Sequence, residues 1–415
     1  MKDKISNNFF CPLPWTHRHI DTLGNIKACC MSEEPNHFGS ERHISRFASE
    51  NEVGFSSHIL KLRTDFKEGK VPSACFGCFK MEQIGIESAR MRAIKQLGVD
   101  KISEDFCAVT KTLDLRFGNQ CNLKCVMCSP FASKAWLSDW NAVSSDPLTP
   151  DVEKNLKDLR WYSESKLWKY LETLLPQIEH LHFAGGEPFL SPEVMRTLDL
   201  CVRLGISKQI SLSFSTNLTL LPENFKKIWA HFKNVRLRVS LDGVGKINYF
   251  IRYPSRWENV NKLLHQLDGA FQDWNVFKIE IWTTVQLYNV FHLRELYLYL
   301  KQFQFVDRYP FLSPLTWPSF FSIQQLNLMQ KKQVEKELKS LCDDLIDIPH
   351  EGLRNPLQLI RFMNYAASKR SLHHEFRKVT KKIEEINKTR CLDLNPQLTP
   401  QLSSRVFKGI WDAVF

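Results

Sequence analysis

Residues 112–128 read TLDLRFGNQCNLKCVMC: a short apolar run, a polar turn, then three cysteines spaced C-x3-C-x2-C. The run 112–117 predicts a buried or half-buried strand. Cys121, Cys125 and Cys128 then lie on the loop at its C-terminal end, where barrel-like parallel sheets build their sites. Three thiolates on one short loop can hold three irons of a cubic cluster and leave the fourth iron open. An open metal position admits a chelating substrate, as it does in catalytic zinc sites. Structural zinc wants four ligands, usually as two pairs, and this loop offers three cysteines.

Downstream the strand pattern repeats. The runs 180–184, 209–214, 235–241, 277–285 and 306–312 each predict a strand. Helical spacing fills the intervals: Val260, Leu263, Leu264 and Leu267 share one face, Leu293, Leu296 and Leu300 another. Ser191-Pro192-Glu193 is a helix start, with serine at the cap and proline in the first turn. Residues 143–150 predict a loop, and 151–175 one or two inserted helices. Strand–helix alternation implies a parallel α/β sheet, and six units make a partial (β/α)6 barrel. Beyond about residue 315 the strand signal fades. Val334, Leu338, Leu341 and Leu345 mark an amphipathic helix. The basic stretch 369–390 reads as a solvated helix face, with contact to nucleic acid or another acidic partner as the alternative. The expected division is a cysteine-rich module over 1–106, a core over 107–312 and a helical region over 313–415.

The chain has 415 residues, 43% of them hydrophobic and 24% charged, which suits a globular fold of two or three units. Its formal charge of +11 favours acidic partners such as nucleic acid, a phosphorylated ligand or an acidic peptide. Anionic thiolate clusters would offset part of that excess. No apolar run approaches the ~20 residues of a membrane-spanning helix. The start MKDKISNNFFCPLPW lacks the apolar stretch of a secretory signal. A cytoplasmic chain is expected, so its twelve cysteines should be reduced, and their clustering points to metal or redox chemistry.

Nine of those twelve lie within the first 128 residues. Cys11, Gly24 and Cys29 follow a C-x12-G-x4-C pattern, and Cys75 and Cys78 add a C-x2-C pair. Gly24 predicts a hairpin turn that draws Cys11 and Cys29 together. Four thiolates close a cluster's coordination sphere, and the same set also suits tetrahedral zinc. Cys30 is the alternative to Cys29, although the spacing favours Cys29. Cys107 is a spare ligand or a small buried hydrophobe, and Cys201, Cys342 and Cys391 read as core or surface thiols.

The loop CNLKCVMC resembles the signature of the radical SAM superfamily. The resemblance implies a 4Fe–4S cluster on Cys121, Cys125 and Cys128 whose unique iron chelates S-adenosylmethionine. It further implies reductive cleavage of that cofactor to a 5′-deoxyadenosyl radical, which abstracts hydrogen from a substrate. Met127 stands where the family usually places an aromatic residue near the adenine. Gly185-Gly186-Glu187-Pro188 matches the family's GGEP motif, which contacts the methionine amino group. Ser213 and Asn217 fit the serine and asparagine that contact the carboxylate and ribose, with Leu218 in place of the usual glycine. Ser240-Leu241-Asp242-Gly243 followed by Arg252 resembles the S-x-D-G…R pattern of peptide-modifying and sulfatase-maturating members, in which the arginine pairs with the cofactor carboxylate. Cys11, Cys29, Cys75 and Cys78 resemble a SPASM or twitch module with an auxiliary 4Fe–4S cluster, here N-terminal to the core. The implied substrate is a peptide or protein side chain, then a small molecule, and the implied electron donor is a flavodoxin or ferredoxin. Two other classes remain. One is a non-catalytic metal- or nucleic-acid-binding protein with structural zinc, which has no use for the GGEP and S-x-D-G motifs. The other is a two-cluster electron-transfer protein, which wants a fourth cysteine in the central loop.

Overall fold

The computed structural model describes residues 9–34, 38–98, 109–144, 146–345, 352–365 and 372–391. Cys107 and the expected boundary at 106/107 fall outside them, and the side chain of Cys391 is not described. Eight strands form one open sheet in the order β2-β1-β3-β4-β5-β6-β7-β8. They are β1 (His17–Ile20), β2 (Ile26–Lys27), β3 (Thr112–Leu115), β4 (His180–Phe183), β5 (Ser211–Thr216), β6 (Asn234–Ser240), β7 (Val276–Val285) and β8 (Phe311–Pro314). All neighbours run parallel except β1 and β2. The six strands β3–β8 are the expected partial barrel.

Alternation along the strands sorts two faces. Leu113, Leu115, Leu181, Phe183, Leu212, Phe214, Leu237 and Ile281 point outward into the main core. They meet residues of the helices Ser165–Leu174, Pro192–Arg203 and Trp257–Ala270 in that core. Asp114, His182, Ser213, Ser215, Arg236 and Arg238 take the intervening positions on the inner face, in register from β3 to β6. The polar half of each strand is therefore reserved for the concave side, where the sites of such sheets lie.

The hairpin at Gly24 is present, but its pairing is not legible from local pattern. β1 hydrogen-bonds in parallel with β3, so the N-terminal segment continues the sheet. Gly24 turns at φ +84°, and a Cβ there would meet His43 and Trp161 at 2.8 Å. Trp161 also donates its indole N–H to the Thr22 carbonyl at 2.9 Å, tying the turn to the insertion before the helix Ser165–Leu174.

Two strand boundaries differ from expectation. β5 begins two residues later because Ser207–Gln209 forms a 3-10 turn. β8 covers Phe311–Pro314, while Val306 makes only an isolated bridge to Ile279. Asp268 accepts the backbone N–H groups of Gln304, Phe305 and Val306, which fixes that stretch as a capped loop. Beyond the sheet, the helix Leu328–Asp344 opens on a capping box of Asn327 and Gln330 and buries Val334, Leu338 and Leu341. In the helix His373–Cys391, Phe376, Val379 and Ile383 are buried on one side, while Arg377, Lys378, Lys381 and Glu385 are exposed. Among the described residues, no helix is long and apolar enough to cross a membrane.

Candidate functional site

The cysteine loop leaves β3 at its C-terminal end and is pinned from three sides. Lys124 and Val126 donate backbone N–H groups to the carbonyls of Tyr253 and Ile251, at 2.6 and 2.8 Å. Trp136 donates its indole N–H to the Cys125 carbonyl at 3.0 Å. Glu187 donates its N–H to the Gln120 carbonyl at 2.7 Å. A hydrogen-bonded loop of this kind presents its thiols in a fixed arrangement.

Burial pushes all three thiols up from their ordinary range, Cys128 to about 12. Cys121 and Cys128 further raise Cys125, and Cys121 further raises Cys128. Arg252 opposes this, most strongly at Cys125, with a guanidinium nitrogen 3.9 Å from Sγ. Such thiols are inert as free nucleophiles and ionise only toward bound metal. Among the described residues, no three His, Cys, Asp or Glu side chains are gathered for a single metal ion.

The two glycines of the 185–188 motif have a packing reason. Gly185 sits at φ +115°, and a Cβ on Gly186 would lie 2.0 Å from the Gln120 carbonyl oxygen. The motif therefore lies directly against the entrance of the cysteine loop, with Pro188 buried behind it. Glu187 turns inward: its carboxylate accepts from the Thr216 hydroxyl and the Asn217 N–H, both at 2.8 Å. Asn217, thus held, aims its amide at Cys121 Sγ (3.9 Å) and Asn122 (3.0 Å). Leu218 adopts a left-handed turn at φ 51°, with its side chain buried.

Arg252 is the other arm. Its Nε lies 2.8 Å from Asp242, which is fully buried and also accepts the Thr284 N–H at 2.7 Å. Burial works against the charge on Arg252, but Asp242 and then Cys125 hold it above its usual range. Met127 is half-buried, with its sulfur 3.8 Å from the Gln286 amide. Ser240 ends β6 opposite Trp282. Ser213 lies deeper in the sheet, bonded at 2.7 Å to His182 Nδ1. The structure thus gathers Cys121, Cys125, Cys128, Gly186, Asn217 and Arg252, and leaves Ser213 on the inner wall. Asp242, read from sequence only as part of a motif, is the residue that orients Arg252.

A second group of thiols lies in the N-terminal module. Cys11 and Cys75 share one apolar cluster with Phe10, Trp15 and Phe66. Burial raises Cys11, Cys29 and Cys75, with Cys75 at about 12. Cys78 adds to the rise at all three, and Cys11 adds to it at Cys29. Cys30 is exposed, unlike Cys29, which is half-buried. Cys201 is buried in the main core and Cys342 is half-buried.

The inner wall holds further ionisable groups. His182 bridges Ser213 at 2.7 Å and Ser215 at 3.3 Å. Burial lowers its pKa to about 3, helped by Arg238 and Arg116 against Asp114. The unfolded chain protonates this imidazole near 6.5 and the folded chain does not. Stability from this group is complete above pH 6.5 and is lost as pH falls toward 3. The thermal midpoint should decline below pH 6.5, and His182→Asn should flatten that decline. An unchanged slope would show that His182 carries no such linkage.

Residues 115–272 match a family model described as the radical SAM superfamily. No curated protein sequence matches the chain. Among solved structures, anSMEcpe with bound AdoMet is 22% identical at a TM-score of 0.36, covering 56% of this chain and 59% of its own. Streptococcus suis SuiB bound to S-adenosylmethionine is 14% identical at 0.33, covering 71% and 60%. TYW1 with a lysine-pyruvate adduct is 15% identical at 0.31, covering 66% and 90%. The chain spans about three fifths of the length of the first two.

Proposed function

From a radical SAM domain at residues 115–272, we infer that this chain is a radical SAM enzyme whose chemistry is assembled on the 121–128 loop. The observation that carries the reading is the convergence of that loop with Gly186, Asn217 and Arg252. Cys121, Cys125 and Cys128 would hold a 4Fe–4S cluster. Arg252, oriented by Asp242, faces the cluster volume as a fixed cation suited to a carboxylate. Gly186 lets the 185–188 backbone lie against the cysteine loop, where it would meet a bound methionine moiety, and Met127 offers an adaptable apolar surface near an adenine. Glu187 acts as a positioning residue through Asn217. Ser240, and more remotely Ser213, complete the proposed S-adenosylmethionine contacts. Loaded in this way, the site would supply the chemistry of reductive S-adenosylmethionine cleavage and hydrogen abstraction from a substrate.

We retain the division at 1–106, 107–312 and 313–415, with the N-terminal module holding an auxiliary 4Fe–4S cluster on Cys11, Cys29, Cys75 and Cys78. The exposure of Cys30, and the influence of Cys11 and Cys78 on Cys29, support Cys29 as the ligand. SuiB has also been solved bound to its precursor peptide SuiA, and a peptide side chain is the substrate class we favour. A flavodoxin- or ferredoxin-like donor would supply the electron, in the cytoplasm.

The test is anaerobic reconstitution with iron and sulfide, then dithionite and S-adenosylmethionine. Formation of 5′-deoxyadenosine is the expected product, and its absence from a fully loaded chain rejects the reading. In the triple variant Cys121→Ala, Cys125→Ala, Cys128→Ala, about four irons per chain should remain. Retention of zinc without iron would replace the auxiliary cluster with a structural zinc site.

A further inference from the structure

We propose that the inner face of the sheet carries an oxyanion-binding subsite, centred on Arg116 and Arg238, that holds a carboxylate or phosphate group of the substrate. The proposal rests on the radical SAM reading of the adjacent cysteine loop.

Register brings the two arginines together. Arg116 follows the last residue of β3, two positions after Asp114, which pairs with His182 on β4. Arg238 on β6 pairs with Ser215 on β5, and Ser215 bonds to His182. Both guanidiniums thus flank His182, just below the strand ends that carry the cysteine loop and the 185–188 motif. Substrate bound beside that loop would meet them first.

The charges on this face do not balance. Arg116 pairs with Asp114 at 3.0 Å, and Asp114 is also held by His19 at 3.1 Å. Arg238 and Lys278 both rely on Glu280, at 3.7 and 3.1 Å. Arg354 reaches Glu280 at 3.7 Å and pairs closely with Asp307. Arg236, beside Lys278 in register, makes no ion pair among the described residues. Five cations therefore share three carboxylates. The imidazoles of His17, His19 and His182 add no charge, since burial holds each below its usual range. Lys27 is matched by Asp21.

Two buried donors point to a missing ligand. Trp282 Nε1 has no hydrogen-bond partner among the described residues, and Arg238 Nε reaches only Glu280, at the long distance of 3.7 Å. They are neighbours: the Arg238 guanidinium carbon lies 5.2 Å from the Trp282 ring. Trp282 itself is stacked on Phe311 at 4.8 Å, which fixes the direction of its N–H. Buried polar groups in folded proteins are nearly always bonded, so an unbonded indole N–H and a weakly held guanidinium beside surplus cations mark a place that an anion fills. A forked guanidinium and a rigid indole N–H recognise the oxygens of carboxylate or phosphate equally.

The test is isothermal titration calorimetry of the full-length, cluster-loaded chain with inorganic phosphate and, separately, with glutarate. Saturable one-to-one binding of at least one anion is expected. Phosphate alone identifies a phosphorylated substrate group, and glutarate alone a carboxylate. Arg238→Gln should weaken binding tenfold or more, and Arg238→Lys should restore most of it. Trp282→Phe keeps the ring, removes the N–H, and should weaken binding at least threefold. Binding of neither anion, or binding unmoved by both Arg238→Gln and Trp282→Phe, overturns the proposal. Formation of 5′-deoxyadenosine by the unaltered chain is read separately. With that intact and neither anion bound, only the subsite is discarded.

Discussion

Cys125→Ala should abolish 5′-deoxyadenosine formation, by at least about a thousandfold, while leaving the fold in place. The thiol is buried at the centre of the triplet, and no other cysteine on the loop can take its position. What holds the loop is backbone: the Trp136 bond to the Cys125 carbonyl and the Val126 bond to Ile251 both survive in alanine. Loss of one small buried group costs about 1 kcal/mol, a shift of a few degrees at most in a chain of this size. Iron content should fall by about four per chain if the N-terminal module keeps its own cluster. Reconstituted iron and product formation measured together decide the matter. A variant that still forms 5′-deoxyadenosine would remove Cys125 from the cluster ligands.

Gly186→Ala should be nearly as damaging, for a different reason. The added methyl would stand 2.0 Å from the Gln120 carbonyl oxygen and 2.4 Å from its carbon. Both are backbone atoms, so no side chain can rotate away. The 185–188 segment must separate from the cysteine loop, breaking the Glu187–Gln120 bond and releasing Cys121 from its position. Overpacking of this kind costs about 1–3 kcal/mol. The larger effect should be on cluster retention, measured as iron per chain after desalting. Gly269→Ala is the matched control, since its Cβ meets nothing within 4 Å and its site is helical. It should be neutral or stabilising by about 0.5–1 kcal/mol. Equal iron loss in both variants would dismiss close packing as the reason for glycine at 186.

Much of this was legible in the chain itself because strands and cysteine spacing are local signals. The runs around Thr112, His180, Ser211, Val235 and Val276 all became strands, and the triplet fell on the loop after the first of them. The helix containing Val334 and Leu338 followed from its apolar spacing. The parallel pairing of β1 with β3 did not, because it joins residues nearly a hundred positions apart and leaves no local trace. The inner wall was also missed. Arg236 and Arg238 alternate with Val235, Leu237 and Val239 in a pattern that reads equally as a solvent-facing edge. Only the curvature of the sheet turns those positions inward. Asp242 reads from sequence only as part of the S-x-D-G motif, and its bond to Arg252 depends on a ten-residue excursion of the chain.

The most direct measurement is electron–nuclear double resonance on the reduced, reconstituted chain with S-adenosylmethionine labelled with nitrogen-15 at its amino group. A strong nitrogen coupling to the cluster spin is expected, retained when Cys11, Cys29, Cys75 and Cys78 are all replaced by alanine. A cluster that shows no such coupling, or one whose fourth iron carries a protein ligand, would contradict the account at its foundation.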